Sequence, residues 1–306
     1  MSWHPKIPLH VFVFLVPGVL IYTIFSAWPL IDTLLLSLYE QDDSGARHFV
    51  GLANYNILLF DNEWSNGFWN AMWNNLKFFV IHMLVQNPIS LLIAALVSNR
   101  MLKGANTYRT LIFFPTLLSV VIVGFIWQLI LNPLWGVSET LLGYIGLDDY
   151  FDAWLGMEPT ALITIALISV WQFVGIPLML IYTALLGIPD ELSDAAYVDG
   201  ASPRRIFWKI KLPLILPTLG LVSILTFIGN FNAFDLIYSI KGGLAGPNFS
   251  TDILGTFFYR TFFGFQSSLG SPTMGATVAA MMFFVILVAV MIYFYLVQRK
   301  LQRYQL

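Results

Sequence analysis

Two groups of side chains in this sequence have types and spacings that suit a specific task, and neither makes a catalytic centre. The first is set into apolar stretches: Ser169, Trp171, Gln172 and Phe173, and further on Asn230-Phe231-Asn232-Ala233-Phe234-Asp235. Amides and hydroxyls exchange hydrogen bonds with the hydroxyls of a carbohydrate, and aromatic faces stack on its C–H faces. The same residues also hold helices together, so solute contact and interhelical packing are both open for them. The second group, between Ile188 and Pro213, is charged and punctuated: Asp194-Ala195-Ala196, then Asp199-Gly200-Ala201, then Ile210-Lys211-Leu212-Pro213. Bond-making chemistry has no comparable set. The phosphate-cradling pattern G-x-x-x-x-G-K-[ST] does not occur, nor does the dipeptide Gly-Lys. Cysteine is absent, which excludes disulfides, cysteine-ligated metals and thiol catalysis. Energy for any work must come from another chain or from an ion gradient.

The elements that carry these residues are membrane helices. Of 306 residues, 58% are hydrophobic and 10% charged, against roughly 25% charged in a soluble domain. A water-exposed surface needs a charged shell, whereas a bundle in lipid needs polar groups only at its ends. A net charge of −2 offers no basic field for nucleic acid. Six segments are long enough to cross a core that needs about 20 apolar residues: 9–31, 76–97, 111–131, 160–186, 214–240 and 275–297. The expected fold is therefore all-α, a single polytopic domain over 1–306 with six transmembrane helices. The first segment exceeds a signal-peptide core of about 7–15 residues and is read as an uncleaved span.

Most of the fifteen lysines and arginines fall on one side of this arrangement: Lys6, Arg100, Lys103, Arg109, Arg204, Arg205, Lys209, Lys211, Arg299, Lys300 and Arg303. Positive charge marks the cytoplasmic side, so both termini and the 98–110 and 187–213 loops are expected to face inward. The outer loops 39–75, 132–159 and 241–274 are acidic, with Asp42, Asp43, Asp148 and Asp149 among others, and carry Trp64, Trp69, Trp73, Trp135 and Trp154 as an interfacial belt. Helix breakers recur within spans: Pro17, Gln86-Asn87-Pro88, Pro115, Gly175-Ile176-Pro177 and Gly229-Asn230-Phe231-Asn232. Broken helices at membrane depth free backbone groups that need partners in protein or in a wet cavity.

The 188–213 loop reads as two short helices around a sharp turn. Pro189, Asp190 and Glu191 suit a helix start. Gly200 stands where a C-cap needs positive φ, and Ser202-Pro203 supplies an N-cap and a first-turn proline for the next helix. This pattern resembles the EAA loop of binding-protein-dependent ABC importer permeases, with Asp194 where the family usually has Glu. The resemblance extends over all six spans and implies the type I permease fold. It is strongest to carbohydrate importers of the maltose and glycerol phosphate kind.

That resemblance implies a channel subunit that moves a sugar or polyol by alternating access, in a bacterial or archaeal plasma membrane. The implied partners are a second, homologous permease chain, two ATPase subunits and an extracytoplasmic solute-binding protein. No cofactor is implied for this chain, since ATP and Mg belong to the ATPase. Asp194, Ala195, Ala196, Asp199, Gly200 and Ala201 match the family's ATPase-coupling motif. Ser169, Gln172, Phe173 and Ile176 in span four, with Gly229, Asn230 and Ala233 in span five, match its sugar-contact positions. The stretch 257–265 is expected to be an amphipathic interfacial segment, and 240–247 is similar to the family's Gly-Gly-Pro turn with three residues inserted. The alternative class is an ion-coupled carrier or channel, for which only Asp32, His82 and Asp235 are placed in or near spans. Gly200→Asp tests the loop: it is expected to abolish ATP-coupled transport while the protein still inserts, and normal uptake by that variant counts against docking through this turn.

Overall fold

The apolar, charge-poor sequence folds almost wholly into helices in a computed structural model that describes residues 9–42, 44–99, 102–147, 149, 151–266 and 269–298. Lys6, Asp43, Arg100, Asp148, Arg299, Lys300 and Arg303 lie outside the described residues. Among the described residues four helices are long and apolar enough to cross a membrane: Val11–Leu36, Asn62–Val97, Pro203–Lys241 and Pro272–Tyr295. With each bent pair, Ala105–Leu117 with Val120–Ile130 and Glu158–Phe173 with Gly175–Leu186, counted as one span, the total is six. They are called spans one to six in chain order. A short antiparallel hairpin, Tyr39–Gln41 against Arg47–Phe49, is the departure from an all-helical chain.

Two spans differ in form from the expected rods. Span three bends by 95° at Leu118-Ser119 and span four by 44° beside Val174. Pro115 and Pro177 remove amide hydrogens from the helical ladder on either side of these bends. Span two begins fourteen residues earlier than an apolar count predicts, because Asn62–Ile81 has a polar face. That face is satisfied by protein: Asn70 Nδ2 donates to Phe249 O and Asn74 Nδ2 to Asp252 O, each at 2.9 Å.

Four wide turns among the described residues, Thr23–Ala27, His82–Gln86, Phe207–Lys211 and Tyr293–Gln298, close i→i+5 rather than i→i+4 bonds. The first three are each followed at the second residue by a proline, Pro29, Pro88 or Pro213. A helical proline ring collides with the carbonyl four residues back, and widening the turn relieves that collision without ending the helix.

The core has three parts. An outer cluster joins Leu58 and Phe68 to Leu254, Phe257 and Val278. A central one packs Phe78 and Val123 against Ile165, Leu236 and Ile237. An inner one packs Ala94 on Leu178, Ile181 and Val222. Span one is little covered: its second half, Trp28–Leu36, packs on span six, but no residue between Val11 and Leu36 is buried by the chain, so most of its apolar surface faces lipid or another polypeptide. Of the tryptophan belt, Trp69, Trp73 and Trp135 are exposed, while Trp64 and Trp154 pack against the outer and central clusters.

The 257–265 stretch lies mostly in a helix, Leu254–Phe263, that has two faces: its first turn and Thr261 are buried against span six and Asn62–Ile81, while residues 258–260, 262 and 263 stay half-buried or exposed. Its position is fixed by Asp252 and Arg260. Arg260 Nη2 and Nη1 donate to the two carboxylate oxygens at 2.6 and 3.2 Å, Nη1 also to Gly243 O at 2.9 Å, and Thr256 Oγ1 donates to Asp252 Oδ1 at 2.7 Å. The guanidinium also lies over the rings of Phe249 and Phe257. Burial raises the Asp252 pKa above its ordinary value of 3.8, with Arg260 and Thr256 opposing the rise. Removing one partner of such a pair leaves an uncompensated charge, at about 3–5 kcal/mol. Arg260→Ala should therefore lower the melting temperature of the purified protein at neutral pH. A carboxyl with a raised folded pKa binds its proton more tightly folded than unfolded, so its contribution is greatest below 3.8 and lost as pH rises through the folded value. Without Arg260 that loss extends to higher pH, and acidification should restore part of the deficit. Melting curves of wild type and variant across pH check both statements.

Candidate solute cavity and coupling loop

A cavity of about 360 Å³ lies where spans two, four and five meet. Each span departs from regular α-helix there. The wide turn before Pro88 sets His82 and Gln86 on the cavity wall one turn below Phe78. Span four contributes Ser169, Phe173 and Ile176 around its bend. Span five is helical from Leu212 to Phe231, leaves the helix at Asn232, and resumes over Asp235–Lys241. Gly229, Asn230 and Ala233 come from this interruption, with Asn232 and Asp235 beside them.

Six of the seven expected pathway positions thus converge: Ser169, Phe173, Ile176, Gly229, Asn230 and Ala233. Gln172 does not line the cavity. It is fully buried and turned toward span three, where Nε2 donates to Leu118 O at 3.1 Å and its backbone oxygen accepts from Thr116 Oγ1 at 2.9 Å. Leu118 has extended backbone, so its carbonyl has no helical donor, and the Gln172 amide takes that place. Trp171 meets Trp127 edge to face at 5.6 Å on the far side. Reasoning from spans four and five alone does not reach Phe78, His82 and Gln86. The sequence cue for them is Asn87-Pro88, which forces the wide turn that orients both polar side chains.

The polar wall has defined hydrogen bonding. His82 Nδ1 lies 2.8 Å from Phe78 O and must donate to it, so the neutral ring accepts at Nε2 from the Ser169 hydroxyl, 3.0 Å away. Asn230 Nδ2 donates to Thr226 O at 2.7 Å, one turn back on its own helix. The side-chain oxygens of Gln86 and Asn230 are buried without a partner among the described residues. Among the described residues no cluster of His, Asp or Glu is arranged to hold a metal ion.

The cavity is tied to the Leu254–Phe263 helix. Asn75 Nδ2 donates to Asn230 O at 2.8 Å while its Oδ1 accepts from Leu254 N at 2.7 Å, at the start of the outer helix. At Gly255 any Cβ would sit 2.5 Å from Ala233 O, so only glycine lets the outer helix rest on the interruption in span five.

The 188–213 loop has the turn its residues predict. Asp190–Val198 is helical and ends at Gly200, which has φ of +77°. Gly200 N donates to Tyr197 O at 3.0 Å and Ala201 N to Ala196 O at 2.9 Å, the paired bonds of a Schellman cap. The Ser202 side chain accepts from Arg205 N, and Pro203 opens the next helix. Asp194, Ala195, Asp199 and Gly200 are exposed and Ala201 half-buried, but Ala196 is turned into the protein. Of the alanine pair, only Ala195 is open to close approach.

Comparison with known proteins agrees with this architecture. The family described as "Binding-protein-dependent transport system inner membrane component" matches residues 86–303. The probable ABC transporter permease protein YurN of Bacillus subtilis is 32% identical over 275 residues, covering 88% of this chain and 92% of that protein. The sn-glycerol-3-phosphate transport system permease protein UgpA of Escherichia coli O157:H7 is 31% identical, with 94% of each chain covered. A bacterial alginate ABC transporter, solved in complex with an alginate pentasaccharide-bound periplasmic protein, shares the fold with a TM-score of 0.78 at 23% identity, over 96% of this chain and 95% of that one. With its helical spans, matched family and full-length relatives, this chain belongs to the binding-protein-dependent transport system inner membrane components, the permease subunits of ABC transporters.

Proposed function

We propose that this subunit imports a sugar or polyol by ATP-driven alternating access. The observation that carries the reading is the convergence of interrupted helices on one cavity, lined by hydroxyl, amide and phenyl groups from three spans. Phe78, Phe173 and Phe234 offer faces for C–H stacking, and Ser169, Asn230 and Asn232 offer hydrogen bonds to hydroxyls. Relatives whose names specify arabinooligosaccharides, multiple sugars and lactose support the carbohydrate class.

In this reading ATP is hydrolysed on two separate ATPase subunits, and the chain pairs with a second, homologous permease to complete the pathway. The 188–213 loop, cytoplasmic together with both termini, seats in the ATPase, where Asp194 faces a basic residue and Ala195 allows close backbone approach. Asp199, Gly200, Ala201 and the buried Ala196 hold the shape of the turn. A solute-binding protein delivers cargo to the outer face formed around the Leu254–Phe263 helix.

Reconstitution with its ATPase and binding protein tests this directly. Uptake should require ATP, stop with vanadate and persist when ionophores collapse ion gradients; the reverse pattern would replace the ABC reading with an ion-coupled carrier. In the same vesicles Asn230→Leu should lower uptake at sub-saturating solute by about three- to tenfold, the worth of one hydrogen bond. Basal ATPase activity should stay intact, and unchanged uptake would remove Asn230 from the pathway.

A further inference from the structure

Span two carries five buried polar side chains, Asn74, Asn75, His82, Gln86 and Ser90. Four of them bind another part of the chain. Asn74 Nδ2 donates to Asp252 O, Asn75 joins Asn230 O to Leu254 N, His82 Nε2 accepts from the Ser169 hydroxyl, and Ser90 Oγ donates to Val174 O. Buried amides and hydroxyls in membrane helices ordinarily do this work, holding one helix to the next. Gln86 is the fifth, and it does not. Its side chain is as buried as the others, at 5% exposure, yet among the described residues neither end of its amide is bonded.

The placement of Gln86 shows what the amide is free to meet. It ends the wide turn His82–Gln86 and lines the cavity together with Phe173 and Asn230. On the same wall the side-chain oxygen of Asn230 is also buried without a partner among the described residues, while its Nδ2 donates to Thr226 O. Two spans thus present unmet amide atoms to one space. A buried amide without a partner is destabilising, and a ligand that brings both a hydrogen and a lone pair relieves it. A hydroxyl brings both. Two hydroxyls on adjacent ring carbons suit one amide, whose oxygen accepts from the first while its N–H donates to the second. Resting on the carbohydrate reading above, we infer that Gln86 is a specificity-determining residue that span two contributes to the solute site, bridging two adjacent hydroxyls of one sugar ring. Asn230 Oδ1 accepts from a further hydroxyl. A solute lacking either bridged hydroxyl leaves one end of the Gln86 amide unpaired, and a site built to hydrogen-bond a hydroxyl rejects such an analogue far better than an apolar wall does.

The test is uptake by vesicles that hold the assembled importer with its ATPase and binding protein. Maltose, lactose and arabinobiose are the probes, and the one taken up is compared with its set of monodeoxy analogues. In wild type, removing a hydroxyl raises KM by a factor characteristic of each ring position. Gln86→Leu, with Gln86→Met as a second apolar variant, should shrink that factor about three- to tenfold at two adjacent positions and leave it unchanged elsewhere. The binding protein is the same in every preparation, and loss of folded importer changes Vmax rather than the ratio of two KM values, so both cancel. Gln172→Leu is the contrast, because that amide is engaged with Leu118 O: its deoxy factors should match wild type at every position. Factors in both Gln86 variants that match wild type throughout, a change confined to positions that are not adjacent, or loss of all uptake in both variants overturns the inference while the import of carbohydrate stands. Uptake of none of the three probes overturns the carbohydrate reading itself, and this inference with it.

Discussion

Every helix break in lipid creates a debt of backbone hydrogen bonds that water is not there to settle, and the rest of this structure is organised around meeting it. At the 95° bend of span three, Gln172 donates to Leu118 O. Beside the bend of span four, Ser90 Oγ donates to Val174 O at 3.0 Å. At the interruption of span five, Asn75 Nδ2 donates to Asn230 O at 2.8 Å, and Gln128 Nε2 closes the far end at Ile240 O, 3.0 Å away. The donors come largely from neighbouring spans, so each repair is also a tertiary contact. Amides suit this work because one side chain carries both a donor and an acceptor without a net charge to desolvate.

The amides of the cavity wall serve the backbone and keep capacity of their own: Asn230 Nδ2 donates to Thr226 O and Asn232 Nδ2 to Ile228 O, and each amide retains its second N–H and its oxygen. Asn75 extends this logic outward, since its two ends join the cavity wall at Asn230 to the first turn of the outer helix at Leu254. The outer surface and the cavity share one rigid connection, braced from outside by the buried Asp252–Arg260 pair.

Much of this was legible in the sequence, for identifiable reasons. Apolar length locates the spans, and Gly200, Ser202 and Pro203 spell their turn because φ > 0 and capping are local demands. The interruption in span five is readable from Gly229 to Asn232. Two things were not. The outer part of span two is a helix whose asparagines are satisfied by a segment about 180 residues away, and a hydropathy count scores such residues as loop. The direction of Gln172 was equally hidden: a polar residue between Ser169 and Phe173 can face the cavity or the next helix, and only the exposed Leu118 carbonyl decides. Long-range satisfaction of backbone groups is the information that local sequence lacks.

The way the 188–213 loop meets span five gives the cavity a mechanical connection to that loop. From Pro203 the chain is helical through the wide turn at Phe207–Lys211 and on to Phe231 without a loop between. At about 1.5 Å per residue, such a rod reaches about 40 Å from the loop to Asn230. A rod transmits rotation and translation along its axis with little loss, while a linker would absorb both. The first place this one gives way is Asn232–Phe234, on the cavity wall. A displacement of Asp190–Val198 is thus carried to the residues of the cavity wall, and Gly255 resting on Ala233 O links them to the Leu254–Phe263 helix. The wide turn widens the helix at Pro213 without cutting it, which is why a proline at the foot of the rod is compatible with force transmission.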